Sequence, residues 1–177
     1  ITPDEIFQWS DAQKTTPKTS APALDMAMEM LEPFVKVKQP VICFSISEDM
    51  STSANVMRMA ASELEAEELV TVIDSASLST GIGLLVLHAA EMAQAGKTVE
   101  EIQTEIEELK PKVRASFVVD TLVYLYRGGR CSGLAAMFGS ALHLHPMIVV
   151  ENGKMHSSKK YRGKLSKVIL DYAKDLK

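Results

Sequence analysis

Cysteine is scarce in this sequence. Its 177 residues include two cysteines, Cys43 and Cys131, which lie far apart and form no CxxC pair. Disulfide frameworks and structural zinc sites both need cysteines at short, recurring spacings, so the sequence argues against both. The pattern is typical of free thiols in a reducing compartment, and we expect a cytoplasmic protein.

Long runs of one kind of side chain are also missing. The net charge is −4 and no long basic run occurs, which argues against the clustered Lys and Arg that bind nucleic acid. The longest apolar stretch, around Ile82 to Ala90, is too short to cross a bilayer, and we expect no signal peptide. We therefore predict neither nucleic-acid binding nor stable membrane insertion.

Local motifs for nucleotides and nucleophilic catalysis are absent as well. The sequence has no GxGxxG, no GxxxxGK followed by Ser or Thr, and no GxSxG. The four histidines do not stand at a metal-binding spacing; they are His88, His143, His145 and His156. We expect no metal and no cofactor.

The start of the chain lacks a methionine. The sequence begins at Ile1, enters directly at a helix-like segment, and ends at Lys177 inside an amphipathic helix. We interpret it as a fragment of a longer protein.

Apolar strands and amphipathic helices alternate over the first 110 residues. Val41–Phe44 and Val70–Ile73 are short apolar runs of the kind buried in a parallel sheet. Helices are predicted around them at Ala23–Leu31, Ser53–Glu65, Ser79–Ala95 and from a capping box at Thr98 to Leu109. The alternation predicts an α/β/α domain with a parallel sheet over residues 1–111.

The pattern changes after Lys112. Asn152-Gly153 tolerates positive φ and lies between two apolar runs, which predicts an antiparallel hairpin. Further elements are predicted at Phe117–Val119 (a strand), Leu122–Tyr126, Leu134–Leu142 and from Leu165 onward (helices). We expect a smaller α+β domain over residues 112–177.

Two hydroxyl-rich loops are candidates for binding an anion. Thr19 and Ser20 precede a predicted helix, whose unpaired N–H groups and dipole attract negative charge. Ser51, Thr52 and Ser53 follow the first buried strand, at the edge of a parallel sheet where ligands bind. Three successive hydroxyls suit a small oxyanion such as a carboxylate. The alternative for both loops is that the hydroxyls only cap a helix or a turn.

Secondary candidates are an acidic turn and two arginines. Asp74 and Ser75 end the second strand, where they either contact a ligand or brace the loop. Arg130 follows Gly128-Gly129, and Arg162 lies in the segment KKYRG. An arginine can hold a carboxylate through two parallel hydrogen bonds, although most arginines are structural.

Six segments resemble, in order, those of the DegV family, whose better-studied members are the fatty-acid-binding subunits of bacterial fatty acid kinase. They are PKTSAP at 17–22, MSTSAN at 50–55, VIDS at 72–75 with Ser79, Gly81 and Gly83, FVVDTLVYLYRGGRCSG at 117–133, HPMI at 145–148 with Gly153-Lys154, and KYRG at 160–163. The fourth is the most specific, because the family carries Asp-Thr-Leu-x-Tyr-Leu-x-x-Gly-Gly-Arg. The order is kept across nearly the whole chain.

The resemblance implies a fatty-acid carrier of bacterial phospholipid synthesis rather than an enzyme. By resemblance, Thr19 and Ser51 bind the fatty acid carboxylate, Arg162 lies near the same site, and the acyl chain enters an apolar tunnel. A partner kinase then phosphorylates the bound carboxylate.

The chain departs from the family pattern at several positions. Thr52 stands where the family has Gly, Ala54 where it has Tyr, Ala21 where it has Gln, and His145 where it has Lys. We expect the Cβ of Thr52 to restrict the φ of its turn and to crowd the carboxylate.

Two other functions fit the same residues. One is an α/β enzyme that acts on a small carboxylate or phosphate through Ser51 and Asp74. The other is a regulatory domain that has lost its ligand. The carrier hypothesis depends on hydroxyls from two loops meeting at the electropositive end of a helix, above an apolar slot.

Overall fold

The computed structural model describes residues 1–129 and 144–176. The described helices are α1 (Pro3–Gln13), α2 (Leu24–Lys36), α3 (Ser53–Glu63), α4 (Thr80–Gln94), α5 (Val99–Leu109), α6 (Val123–Arg127) and α7 (Leu165–Asp175). The described strands are β1 (Val41–Ser45), β2 (Val70–Asp74), β3 (Ala115–Val118), β4 (Leu144–Glu151) and β5 (Lys154–Arg162). The predicted helix at Leu134–Leu142 lies outside the described residues.

The chain divides into two compact units. The parallel-sheet unit contains Ser20–Ala115 and Val150–Lys154. The hairpin unit contains Ile1–Thr19, Met155 onward, and the described residues within Ser116–Val149. This division differs from the predicted one, because the first 19 residues group with the later part of the chain.

Strands β1 and β2 form a parallel pair in register, with Val41 opposite Val70 and Ser45 opposite Asp74. Their parallel pairing confirms the α/β fold that the alternating pattern predicts. Because side chains of a strand alternate between faces, each strand sends apolar groups to both sides of the sheet. Helices therefore cover both faces, which gives three layers.

Helices α2 and α3 cover the first face of the sheet. Their core is built on alanines together with one large side chain, Leu31, which is 1% exposed. Ala27, Ala60 and Ala61 are each no more than 2% exposed. Val41 and Cys43 pack against this cluster from β1. We call this side of the sheet the alanine face.

Helices α4 and α5 cover the second face. Leu85, Ile102 and Ile106 are buried there, and Ile42 and Phe44 pack against them from β1. Helix α5 begins with the predicted capping box, since the Thr98 hydroxyl accepts from Glu101 N–H and the Glu101 carboxylate accepts from Thr98 N–H. We call this side of the sheet the leucine face.

Most of a three-stranded antiparallel sheet, in the order β3-β4-β5, lies in the hairpin unit, while residues 150–154 around its turn belong to the parallel-sheet unit. Asn152 and Gly153 form the turn between β4 and β5 with φ of +50° and +76°, as the Asn-Gly pair predicts. Ile148 is fully buried and packs with Leu122, while Val168 of α7 is 1% exposed. The sheet and its neighbouring helices thus match the predicted α+β architecture.

Two local expectations were wrong. Helix α2 continues to Lys36 through Pro33, beyond the predicted end at Leu31, because Val35 still packs into the core of the alanine face. A proline disfavours helix but does not outweigh that burial. The run Val41–Phe44 is half-buried rather than fully buried, since β2 is its one hydrogen-bonded neighbour among the described residues.

Candidate functional site

The loop after β1 is a tight turn organised by Ser47. The Ser47 carbonyl accepts hydrogen bonds from Met50 N–H at 2.9 Å and from Ser51 N–H at 3.1 Å. The Ser47 hydroxyl accepts from Asp49 N–H at 3.2 Å. Ser47 is 1% exposed, so these bonds are shielded from water. The turn therefore delivers Ser51 to the start of α3 in a defined orientation.

Ser51 and Ser53 form a hydroxyl pair at the N-terminus of α3. Their Oγ atoms are 2.8 Å apart, and Ser53 N–H donates to Ser51 Oγ at 3.3 Å. Both residues are half-buried. The first N–H groups of a helix have no partners within it, and the helix dipole places positive charge there. A small anion at this point would meet hydroxyl donors and a positive electrostatic potential.

Thr52 is the N-cap of α3, and its side chain makes no capping hydrogen bond. Its φ is −83°, a value that any residue adopts readily, so the expected restriction of the turn by its Cβ was wrong. Its side chain is exposed. The glycine-to-threonine departure is therefore accommodated without backbone strain.

Asp74 and Ser75 are held by hydrogen bonds within the loops. Asp74 Oδ1 accepts from Glu48 N–H at 3.2 Å and from Ala76 N–H at 2.9 Å, which ties the loop after β1 to the loop after β2. Ser75 is 1% exposed, and its hydroxyl donates to the Ser77 carbonyl at 3.3 Å. These contacts are those of loop bracing, and direct ligand contact stays a prediction.

The remaining predicted residues lie in other segments of the chain. Ser20 is exposed, and α2 begins at the N-cap Ala23 without a side-chain cap, so Ser20 and Thr19 do not cap that helix. Thr19 and Arg162 are exposed residues of the hairpin unit. Arg130 lies outside the described residues. The roles of these residues as ligand contacts stay predictions.

A cavity of about 690 Å³ lies on the leucine face. Its apolar lining comes from Ile42 and Phe44 of β1, from α4 and from α5. Val86, Ala89, Ala90 and Ala93 contribute from α4, and Val99 and Ile102 from α5, with Lys97, Glu100 and Gln103 also on the lining. Pro40, which precedes β1, and Glu68 and Leu69, which precede β2, also line it together with Thr71, so the cavity extends toward the amino ends of the two strands.

Four buried serines lie at or just after the ends of β1 and β2, and only Ser75 was among the predicted site residues. Ser45, Ser47, Ser75 and Ser77 are each no more than 6% exposed. Ser47 N–H donates to the Ser77 carbonyl, and Ser75 N–H donates to the Ser45 carbonyl. The recurrence of serine after both strands was a usable signal, because hydroxyls can satisfy the backbone where two strand ends leave the sheet.

In the described part of the chain, the Ser51 hydroxyl makes no hydrogen bond to a general base. Ser51 Oγ pairs with Ser53 Oγ, whereas an activated serine requires an adjacent general base. Among the described residues, no group of three or more His, Cys, Asp or Glu side chains could hold a metal ion. Within the same residues, none of the helices combines the length and the apolarity needed to span a bilayer. The geometry suits anion binding.

Comparison with known proteins links this arrangement to one family. The DegV family model matches residues 1–174. A DegV domain-containing protein of Clostridium acetobutylicum is 34% identical over 164 residues, which cover 91% of this chain and 58% of that protein. A DegV domain-containing protein of Deinococcus radiodurans is 32% identical over 173 residues, covering 98% and 60%. The chain thus spans about three fifths of the length of these relatives.

Solved structures agree with the sequence match. The chain superposes with a TM-score of 0.80 on a DegV family protein of Thermus thermophilus described for its fatty acid binding, at 31% identity, covering 99% of this chain and 62% of that one. It superposes with a TM-score of 0.83 on a stearic-acid-binding protein of Eubacterium ventriosum at 28% identity, covering 99% and 62%. DegV of Bacillus subtilis, a fatty acid binding protein, gives 0.77 at 29% identity, covering 98% and 61%.

Proposed function

Because this chain belongs to the DegV family, we propose that it binds a long-chain fatty acid by its carboxylate and presents the head group to a partner kinase. The observation that carries the proposal is the Ser51–Ser53 hydroxyl pair at the start of α3, on the same unit as a cavity with a partly apolar lining. Proteins similar to this chain bind fatty acids, which supports the choice of ligand.

The polar head group would be held by the Ser51–Ser53 pair. A carboxylate there replaces its lost water with charge-assisted hydrogen bonds from hydroxyl and N–H donors. The dipole of α3 adds a favourable interaction with the negative charge. Thr19 and Arg162 are proposed as further contacts, on the resemblance of their segments to the family motifs.

The acyl chain would occupy the cavity on the leucine face. Each buried CH₂ contributes roughly 0.8 kcal/mol, so the tail supplies most of the affinity. The hydroxyl pair adds orientation and discriminates a carboxylate from an ester or an alcohol. Apolar side chains such as Phe44 and Ala89 give this cavity the lining that an acyl chain requires.

Phosphorylation of the bound carboxylate is assigned to a partner kinase. A carboxylate oxygen would attack the terminal phosphorus of a nucleoside triphosphate, giving an acyl phosphate and a nucleoside diphosphate. The sequence carries no glycine-rich phosphate-binding motif, so the nucleotide would come with the partner. The acyl phosphate would then supply phospholipid synthesis.

Mass spectrometry of lipids extracted from the purified full-length protein tests the binding step. We expect a co-purified fatty acid in the wild type and a strong loss of it in Ser51→Ala, because the carboxylate loses a hydroxyl donor. Ser62→Ala is the matched control, since Ser62 is an exposed serine near the end of α3 whose hydroxyl donates to Glu67. It should retain the lipid.

Three results would contradict the proposal. A wild-type protein that neither co-purifies with nor takes up fatty acid would remove its basis. Equal lipid content in Ser51→Ala and Ser62→Ala would remove the hydroxyl pair as the head-group site. Turnover of added fatty acid by the protein alone, without a kinase, would favour an enzyme instead.

A further inference from the structure

The hairpin turn at Asn152-Gly153 contacts the loop that leads to the hydroxyl pair. The Ser47 hydroxyl donates to the Gly153 carbonyl at 2.7 Å, across 106 positions of sequence, and both residues are buried. Residues 150–154 belong to the parallel-sheet unit, so this contact lies within one unit. Lys154 Nζ and Asp49 Oδ1 are 3.5 Å apart beside it.

All polar groups of Ser47 take part in hydrogen bonds. Its N–H donates to the Ser77 carbonyl, and its carbonyl accepts from Met50 and Ser51. Its hydroxyl accepts from Asp49 N–H and donates to Gly153. A shift of Ser47 therefore moves the acceptor that fixes Ser51.

Gly153 has no room for a side chain. A Cβ built on it would stand 2.7 Å from Ser47 Oγ and 3.1 Å from Asp49 Oδ2. Its φ of +76° also favours glycine. A side chain at position 153 would have to displace the Ser47 hydroxyl. Because Ser47 is buried in a closely packed region, its hydroxyl has little freedom to move.

We propose that Gly153 is a positioning residue for the carboxylate site, acting through Ser47 on the Ser51–Ser53 pair; this rests on the proposed function and deepens it. The hairpin turn sets the angle at which the hydroxyl pair meets the head group. It does not touch the ligand. Selectivity for a carboxylate over a neutral head group therefore depends on a residue about a hundred positions away in the sequence.

Binding of palmitic acid and of hexadecanol to the full-length protein separates positioning from general damage. Gly153→Ala should weaken palmitic acid binding by about tenfold and hexadecanol binding by less than about twofold, because a tenfold change corresponds to roughly one lost polar contact. Gly96→Ala is the matched control, since Gly96 has φ +82° and nothing within 4 Å of its Cβ position. It should alter neither affinity, although it carries a similar backbone strain.

A double-mutant cycle tests the route through Ser47. Ser47→Ala alone should resemble Gly153→Ala, and the double variant should bind no worse than Ser47→Ala, because both changes break one coupled contact. Additive losses, an equal loss of both ligands, or the same loss in Gly96→Ala would each overturn the proposal.

Amide hydrogen exchange without ligand keeps the inference separate from the proposed function. Gly153→Ala should speed exchange at the N–H groups of Asp49, Ser51 and Ser53, and Gly96→Ala should not. If wild-type protein binds no palmitic acid but this exchange pattern holds, the proposed function is wrong. The effect of Gly153 on the loop through Ser47 is then still supported. If exchange in residues 47–53 is unchanged, the link itself is refuted.

Discussion

The two faces of the β1–β2 sheet are both apolar, but they are packed differently. On the alanine face, small side chains let α2 and α3 approach closely, and Ala60 is completely buried. On the leucine face, a cavity of about 690 Å³ remains beside the strands. The comparison shows that a high apolar content does not determine whether a face is filled.

The difference in packing between the two faces suggests a different role for each face. A closed face contributes stability, because filled packing maximises dispersion contacts and burial. An open face gives up part of that stability, and we propose it as the place of the acyl chain. The sheet thus separates a structural side from a proposed binding side within one small unit.

The largest expected effect comes from removing a large side chain on the alanine face. Leu31→Ala should cost about 2–5 kcal/mol in the free energy of unfolding, because it leaves a new void in a filled core. Val86→Ala on the leucine face should cost about 1 kcal/mol or less, since Val86 is 41% exposed and already lines a cavity. Urea unfolding of the two variants measures the contrast, and equal costs would break the distinction between the faces.

A larger side chain should destabilise the alanine face more than the leucine face, by a smaller margin than the removal of a side chain. On the leucine face it should instead weaken fatty acid binding. Ala60→Leu should destabilise by about 1–3 kcal/mol through overpacking. Ala90→Leu, at an exposed position on the cavity, should change stability by less than about 0.5 kcal/mol and should weaken fatty acid binding by occupying the cavity. Unfolding curves and palmitic acid titrations check both; unaltered binding in Ala90→Leu would place the ligand elsewhere.

The smallest expected effect is on the reactivity of the Cys43 thiol. Cys43 packs on the alanine face. Burial raises the pKa of its thiol above the usual value near 9, so less thiolate is present at pH 8 than an exposed cysteine would have. In a Cys131→Ser background, reaction with a disulfide reagent should be slow at pH 8 and accelerate as the pH rises above 9. Palmitic acid should leave this rate unchanged.

A cysteine on the other face provides the control for that measurement. Thr71→Cys, in a background of Cys43→Ala and Cys131→Ser, places a thiol on the cavity lining. Palmitic acid should protect it from the reagent. Protection of Cys43 rather than of position 71 would reverse the assignment of the faces.

The strands and most helix ends were predictable because they depend on local chemistry. A pattern of only a few residues predicts each of these elements. The examples are the apolar runs at Val41 and Val70, the capping box at Thr98 and the Asn-Gly turn. The parallel pairing follows from the helices between the strands.

The cavity and the contact at Gly153 were not predictable in the same way. Helix α4 is apolar on nearly every side, so its sequence does not tell which residues fill a core and which line a void. The Ser47–Gly153 hydrogen bond joins segments 106 positions apart, and neither segment carries a local sign of the other. Both features arise from tertiary packing rather than from periodicity.

Diffraction from crystals of the full-length protein with a fatty acid brominated at its methyl end would locate both ends of the ligand. We predict an anomalous bromine peak inside the cavity lined by Phe44, Ala89 and Ile102, with carboxylate density at the Ser51 and Ser53 hydroxyls. A bromine peak on the alanine face, or a carboxylate away from Ser51, would contradict it.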